Sequence, residues 1–141
     1  MNIQKPGKIV KALYIMIGTL ALGVVNSVAG YELLQRRISA LYLYDAVLPA
    51  ALAIVFLVIA YLIYKLWHGY GAARWVYLVL FVAGLYSTLD AIVTPSTGSF
   101  QRLVILAQTV ADITALSLLF ARESTDWFKA MADGRMRKRF R

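Results

Sequence analysis

The sequence has no cysteine, and its 141 residues include one histidine, His68. The first absence excludes disulfide staples, thiolate metal sites, thiol redox chemistry and a cysteine nucleophile. The second excludes any metal site built on two histidines and leaves no spare base for a serine triad. Acidic residues are scarce as well. Seven Asp and Glu stand against fifteen Lys and Arg, for a net charge of +8. No paired-carboxylate, nucleophile–base or phosphate-loop arrangement appears, and Gly69 and Gly71 are too few for a phosphate cradle. The reading is of a non-enzymatic protein with no cofactor and no metal.

What the chain does have is apolar length. Hydrophobic residues make up 61% of it, against about 45–50% in an ordinary soluble domain. The excess lies in long runs that no soluble core of this size could cover, which points to membrane spans. Four are expected, at residues 12–29, 45–66, 75–93 and 101–121. Gly23, Ser27 and Gly30 form a small-residue face on the first. Ala46, Ala50 and Ala53 do so on the second, and Ala83, Ser87 and Ala91 on the third. Such faces let membrane helices approach closely. Pro49 lies near the start of the second span, where a missing N–H costs least. Ser99 is the expected N-cap of the fourth.

The connections carry topology signals. Tyr61, Tyr64, Lys65 and Trp67 end the second span in aromatic and basic anchors. The loop Trp67–Arg74 is short and contains glycine, as a connection between antiparallel helices should be. Thr94-Pro95 stops the third span. Residues 30–44, with Glu32, Arg36 and Arg37, read as the first external connection, a short interfacial helix or an extension of the second span. Ser124-Thr125-Asp126 looks like a helix start, with Trp127, Phe128 and Met131 at interfacial-helix spacing. Ser27-Val28-Ala29 also resembles a signal-peptide cleavage site, which gives a rival reading of the first span.

Charge sets the orientation. Lys5, Lys8, Lys11, Lys65, Arg74, Arg122, Lys129 and the five basic residues of the tail (Arg135, Arg137, Lys138, Arg139 and Arg141) fall on one side, twelve of the fifteen. Arg36, Arg37 and Arg102 fall on the other. The positive-inside rule then places both termini in the cytoplasm. The expected fold is all-α: a single integral membrane domain, an antiparallel four-helix transmembrane bundle, N-in and C-in, with an interfacial basic tail at 124–141. The tail is expected to attract anionic lipid rather than nucleic acid.

Two stretches carry a family resemblance: GYGAARWVYLVLFVAGLY, Gly69 to Tyr86, and LLFARESTDWF, Leu118 to Phe128. The second half of the chain resembles a loose group of uncharacterised four-span bacterial inner-membrane proteins. In that group a glycine-bearing loop leads into an Ala-Arg pair and an apolar run. Its last span ends in Leu-Leu-Phe, followed by Ser and Trp-Phe. The resemblance implies a multi-pass location in the bacterial cytoplasmic membrane and a compact four-helix unit. It implies no activity. Better-known four-span families fit less well. Small multidrug transporters carry a glutamate in the first span, disulfide-forming enzymes need cysteine pairs, and glutathione enzymes carry an Arg- and Asn-bearing motif in the second span.

Asp112 is the sharpest chemical feature. It lies about two-thirds of the way along the fourth span, where an aspartate costs about 2.5–3.5 kcal/mol on insertion scales. It should therefore face the bundle interior or a wet cavity, with Gln108 four residues away on the same face. Its roles are a proton- or cation-handling site or a polar clasp between helices. The sequence offers it no second acid at its own depth. Asp45, Asp90 and Arg102 are candidates for an outer mouth, with Arg102 the expected partner of Asp90. The alternative is interfacial ion pairs at helix ends. Asn26 has the same two readings, and His68 reads as an interfacial loop residue.

Two functions follow, and a lipid-modifying enzyme ranks third because no catalytic constellation is visible for it. The first is an accessory, regulatory or immunity-type membrane protein that acts through a membrane partner or as a homo-oligomer. The second is a small oligomeric proton- or cation-coupled transporter or channel subunit with Asp112 in the path.

Overall fold

The computed structural model describes residues 5–29, 47–93 and 98–139. Among them the chain is all-helical, with α1 (Gly7–Ala29), α2 (Val47–Trp67), α3 (Ala72–Val93), α4 (Ser99–Phe120) and α5 (Arg122–Arg139). The first four are long and apolar enough to cross a membrane. At 1.5 Å per residue, about twenty residues span the hydrocarbon core.

Local chemistry sets boundaries that differ from the hydropathy reading. Helix α1 begins at Gly7 rather than Ala12, because the Pro6 carbonyl accepts the N–H groups of Ile9 (3.0 Å) and Val10 (3.3 Å). Lys8 and Lys11 therefore lie inside the helix, while Ile9 and Ala12, the residues that follow them, are buried. Ser99 is not an N-cap. Gly98 holds that position without a side-chain bond, and its carbonyl accepts the Arg102 N–H at 3.0 Å. Helix α5 begins at Arg122, two residues before the expected Ser124. The Ser124 hydroxyl instead turns back to the Leu118 carbonyl at 2.7 Å. Arg74 donates to the Leu119 carbonyl at 3.4 Å and to Thr125 Oγ1 at 2.9 Å. These side chains serve α4 carbonyls that have no helical partner, as a helix ending in or near a bilayer requires.

The α2–α3 connection closes with a Schellman pair. Tyr70 N–H reaches the Lys65 carbonyl and Gly69 N–H the Leu66 carbonyl, both at 3.0 Å. Gly69 takes the left-handed conformation this motif needs, at φ 78°. A Cβ there would also meet Met131 of α5 at 3.0 Å. Arg135 donates to the carbonyls of His68 and Gly69 at 3.2 and 2.9 Å. Helix α5 is thus fastened over the connection. Trp127 and Phe128 are buried in the core rather than laid along an interface. Gly69→Ala should cost about 1–2 kcal/mol from the left-handed backbone alone. Thermal unfolding in detergent would report it, together with easier proteolysis of α5.

The helices pack in the order α1–α2, α2–α3, α3–α4, α4–α1, with α1–α4 the most extensive seam. The core lies at one end of this ring. It joins Ile9, Leu13 and Met16 to Leu62 and Leu66, to Ala73 and Tyr77, and to Ala115 and Leu119, closed over by Trp127 and Phe128. The small-residue stripes do not all pack as expected. Ala50 and Ala53 are exposed, and α2 turns Phe56, Ile59, Ile63 and Leu66 inward instead. On α3, Ala83 is exposed, while Ser87 and Ala91 line a cavity. Only the α1 stripe works as expected within the described residues, through Gly23. Ala46 and Gly30 lie outside them.

Candidate functional site

Toward the end where α3 hands over to α4, the four helices separate around a cavity of about 680 Å³. Its polar end is built first by α4. Ile105, Gln108, Thr109 and Asp112 recur at helical spacing and face inward together. Helix α1 brings Gly23, Asn26 and Ser27 to the cavity. Helix α3 brings Tyr77, Phe81, Gly84, Ser87, Thr88 and Ala91, and α2 contributes an apolar wall that includes Ile54, Val58 and Ile59.

Hydrogen bonds cross between helices at this depth. The Tyr77 hydroxyl donates to Asp112 Oδ1 at 3.0 Å. Gln108 Nε2 donates to the Thr19 backbone carbonyl of α1 at 3.2 Å. The second bond depends on Gly23, one turn further along α1. A Cβ at Gly23 would stand 3.1 Å from Gln108 Nε2 and 3.5 Å from Phe56 Cε1. Below Asp112 the core closes tightly. Ala115 and Leu119, on the same side of α4, are fully buried, as are Leu13 and Leu66. Asp112 and Tyr77 therefore form the floor of the cavity, above a sealed plug.

Most other hydroxyls in the spans are satisfied within their own helices. Ser87 and Thr88 both donate to the Gly84 carbonyl (2.8 and 3.0 Å), and Thr109 to the Ile105 carbonyl (2.8 Å). Thr19 does the same with the Met16 carbonyl (3.1 Å). This back-bonding is how hydroxyl groups tolerate an apolar helix. It leaves the carboxyl group of Asp112 as the acidic group presented to the cavity.

The expected residues divide clearly. Asp112 and Gln108 come together as anticipated, and Asn26 joins them nearer the mouth. Of the expected outer mouth, Asp90 and Arg102 lie among the described residues. Asp90 is exposed near the end of α3 and Arg102 half-buried in the first turn of α4, and neither lines the cavity. Asp45, like Glu32, lies outside the described residues. His68 is held locally, its Nδ1 2.8 Å from the Tyr64 carbonyl. Among the described residues no three His, Cys, Asp or Glu side chains gather as a metal site.

Tyr77 is the residue that the sequence reading missed. The sequence reading starts the third span at Trp75 and gives Tyr77 no role. Helix α3 in fact starts at Ala72 and packs Arg74 against α4 and α5. Tyr77 is thereby a buried position more than one turn inside. The signal was its spacing: Tyr77, Phe81, Gly84, Thr88 and Ala91 trace one face of a helix. Comparison with protein-family models, curated proteins and solved structures gives no match, so the site is read from its own chemistry.

Proposed function

We propose that this protein is a small multi-pass membrane protein that handles a proton or cation at Asp112, acting as a cation-coupled transporter or channel subunit. The observation that carries this reading is the position of Asp112, on the floor of a cavity lined by all four long helices. A carboxyl group used only as a clasp has no need of such a space. Intramembrane acids that face a cavity mark ion pathways more often than structural joints. The partner-dependent role drawn from the sequence has no comparable feature in its favour.

The working topology is an antiparallel bundle with both termini in the cytoplasm, on the strength of the basic-residue count. In that orientation the sealed plug and α5 lie on the cytoplasmic side, and the cavity extends outward from Asp112. The bacterial cytoplasmic membrane as location rests on the family resemblance. The basic end of α5 supplies attraction to anionic lipid.

The absence of cysteine makes the topology directly measurable. Gly98→Cys should react with a membrane-impermeant maleimide in intact cells, and Gly134→Cys only after permeabilisation. The reverse pattern would invert the bundle. Purified protein in liposomes should carry a proton or cation flux that empty liposomes lack. A silent preparation across a panel of imposed ion gradients would return the protein to the partner-dependent reading.

A further inference from the structure

We infer that the cavity above Asp112 binds an organic ammonium ion with an apolar body, rather than a bare inorganic ion. The inference rests on the cation-handling reading of Asp112 and specifies what that cation is. Size is the first argument. A space of about 680 Å³ lies within the range of about 300–1,000 Å³ typical of small-molecule sites, and far exceeds what one ion needs.

The second argument is the chemistry of the walls. Hard inorganic cations require several oxygens converging at short range. Among the described residues, Asp112 is the single acidic side chain lining the cavity. The nearby Ser87, Thr88 and Thr109 hydroxyls each donate to a carbonyl of their own helix, which holds their oxygens against the α3 and α4 backbones. The opposite wall is carbon, from Ile54, Val58 and Ile59 on α2. An ammonium group on an apolar body would find a counter-ion at the floor and a wall to bury its carbon against.

The third argument is aromatic. Tyr77, Phe81 and Phe56 all line the same cavity. Aromatic faces attract alkylammonium ions through the ring quadrupole, and the attraction grows as water is removed. A carboxyl group among aromatic rings, facing an aliphatic wall, suits a monovalent cation of mixed character. It disfavours anions, for which no basic side chain among the described residues lines the cavity.

Glycine makes the test clean. Gly84 lines the cavity, and a Cβ built on it meets nothing within 4 Å. Gly84→Leu should therefore fill the space without disturbing the bundle. The assay is calorimetric titration of the full-length protein in detergent with benzyltrimethylammonium, sodium and benzoate, each as a separate titrant. Saturable binding is expected for benzyltrimethylammonium alone. Its affinity should fall roughly tenfold or more in Gly84→Leu and in Asp112→Asn. If Gly84→Leu unfolds, Ser87→Leu fills the same space from the next turn. Equal affinity in the filled variants and the wild type would overturn the inference, as would sodium binding with no response to benzyltrimethylammonium. If Asp112-dependent flux persists in that case, the substrate class is wrong and the ion site stands. If flux is absent as well, the functional reading falls with it.

Discussion

Gly23→Leu is expected to be the most damaging single substitution in the spans, because it opens the α1–α4 seam. That seam is the most extensive helix contact in the molecule. At its centre the α4 side chain of Gln108 lies across Gly23 to reach the Thr19 carbonyl. A first added carbon would stand 3.1 Å from Gln108 Nε2. That atom is the end of a flexible side chain, so Gly23→Ala should be tolerated, helped by alanine's better helix propensity. Leucine adds three more carbons, which must displace both Gln108 and Phe56. Overpacking of this kind typically costs about 1–3 kcal/mol, and the lost cross-helix bond adds about 0.6 kcal/mol. Thermal unfolding in detergent should therefore show alanine near the wild type and leucine well below it. A leucine variant as stable as the wild type would mean that the seam is looser than described.

How far the sequence reaches is clear from this seam and its neighbours. The four long helices follow from apolar runs, which burial in lipid makes nearly unambiguous. Gly23 was legible as a close-packing position because small residues at helical spacing have few other uses in a span. The same rule failed on α2. Ala50 and Ala53 face outward, and the packing face is made of Phe56, Ile59, Ile63 and Leu66. In lipid both faces of a helix are apolar, so hydropathy does not tell which one packs. Asp112 and Gln108 were legible because polar groups at that depth must face inward. Tyr77 was not, since its partner lies 35 residues away and its helix starts three residues earlier than hydropathy suggests. The docking of α5 was hidden for a similar reason. Trp127 and Phe128 carry the signature of an interfacial helix. Only the tertiary fit, with Phe128 against Gly71 and both rings in the core, shows that they close the bundle instead.

Asp112→Asn and Gln108→Leu are expected to separate function from packing, although both alter the polar centre of α4. Asparagine keeps the shape of aspartate and an oxygen that can accept from Tyr77. The bundle should then lose no more than about 1 kcal/mol. It removes the one acidic group that lines the cavity among the described residues, so ion movement should fall to the background of empty liposomes. Gln108→Leu does the opposite. It deletes the bond to Thr19 and fills a similar volume with carbon. Stability should change by a fraction of a kcal/mol, and flux should persist. Tyr77→Phe removes the donor to Asp112 Oδ1 without removing the carboxyl group, and should lower flux without abolishing it. If Asp112 were only a clasp, Asp112→Asn and Gln108→Leu would behave alike.

The most direct test of the central claim is therefore ion flux in liposomes containing wild-type or Asp112→Asn protein, with both first shown to unfold at similar temperatures. The account predicts flux in the wild type and none in Asp112→Asn. Equal flux in the two would contradict it.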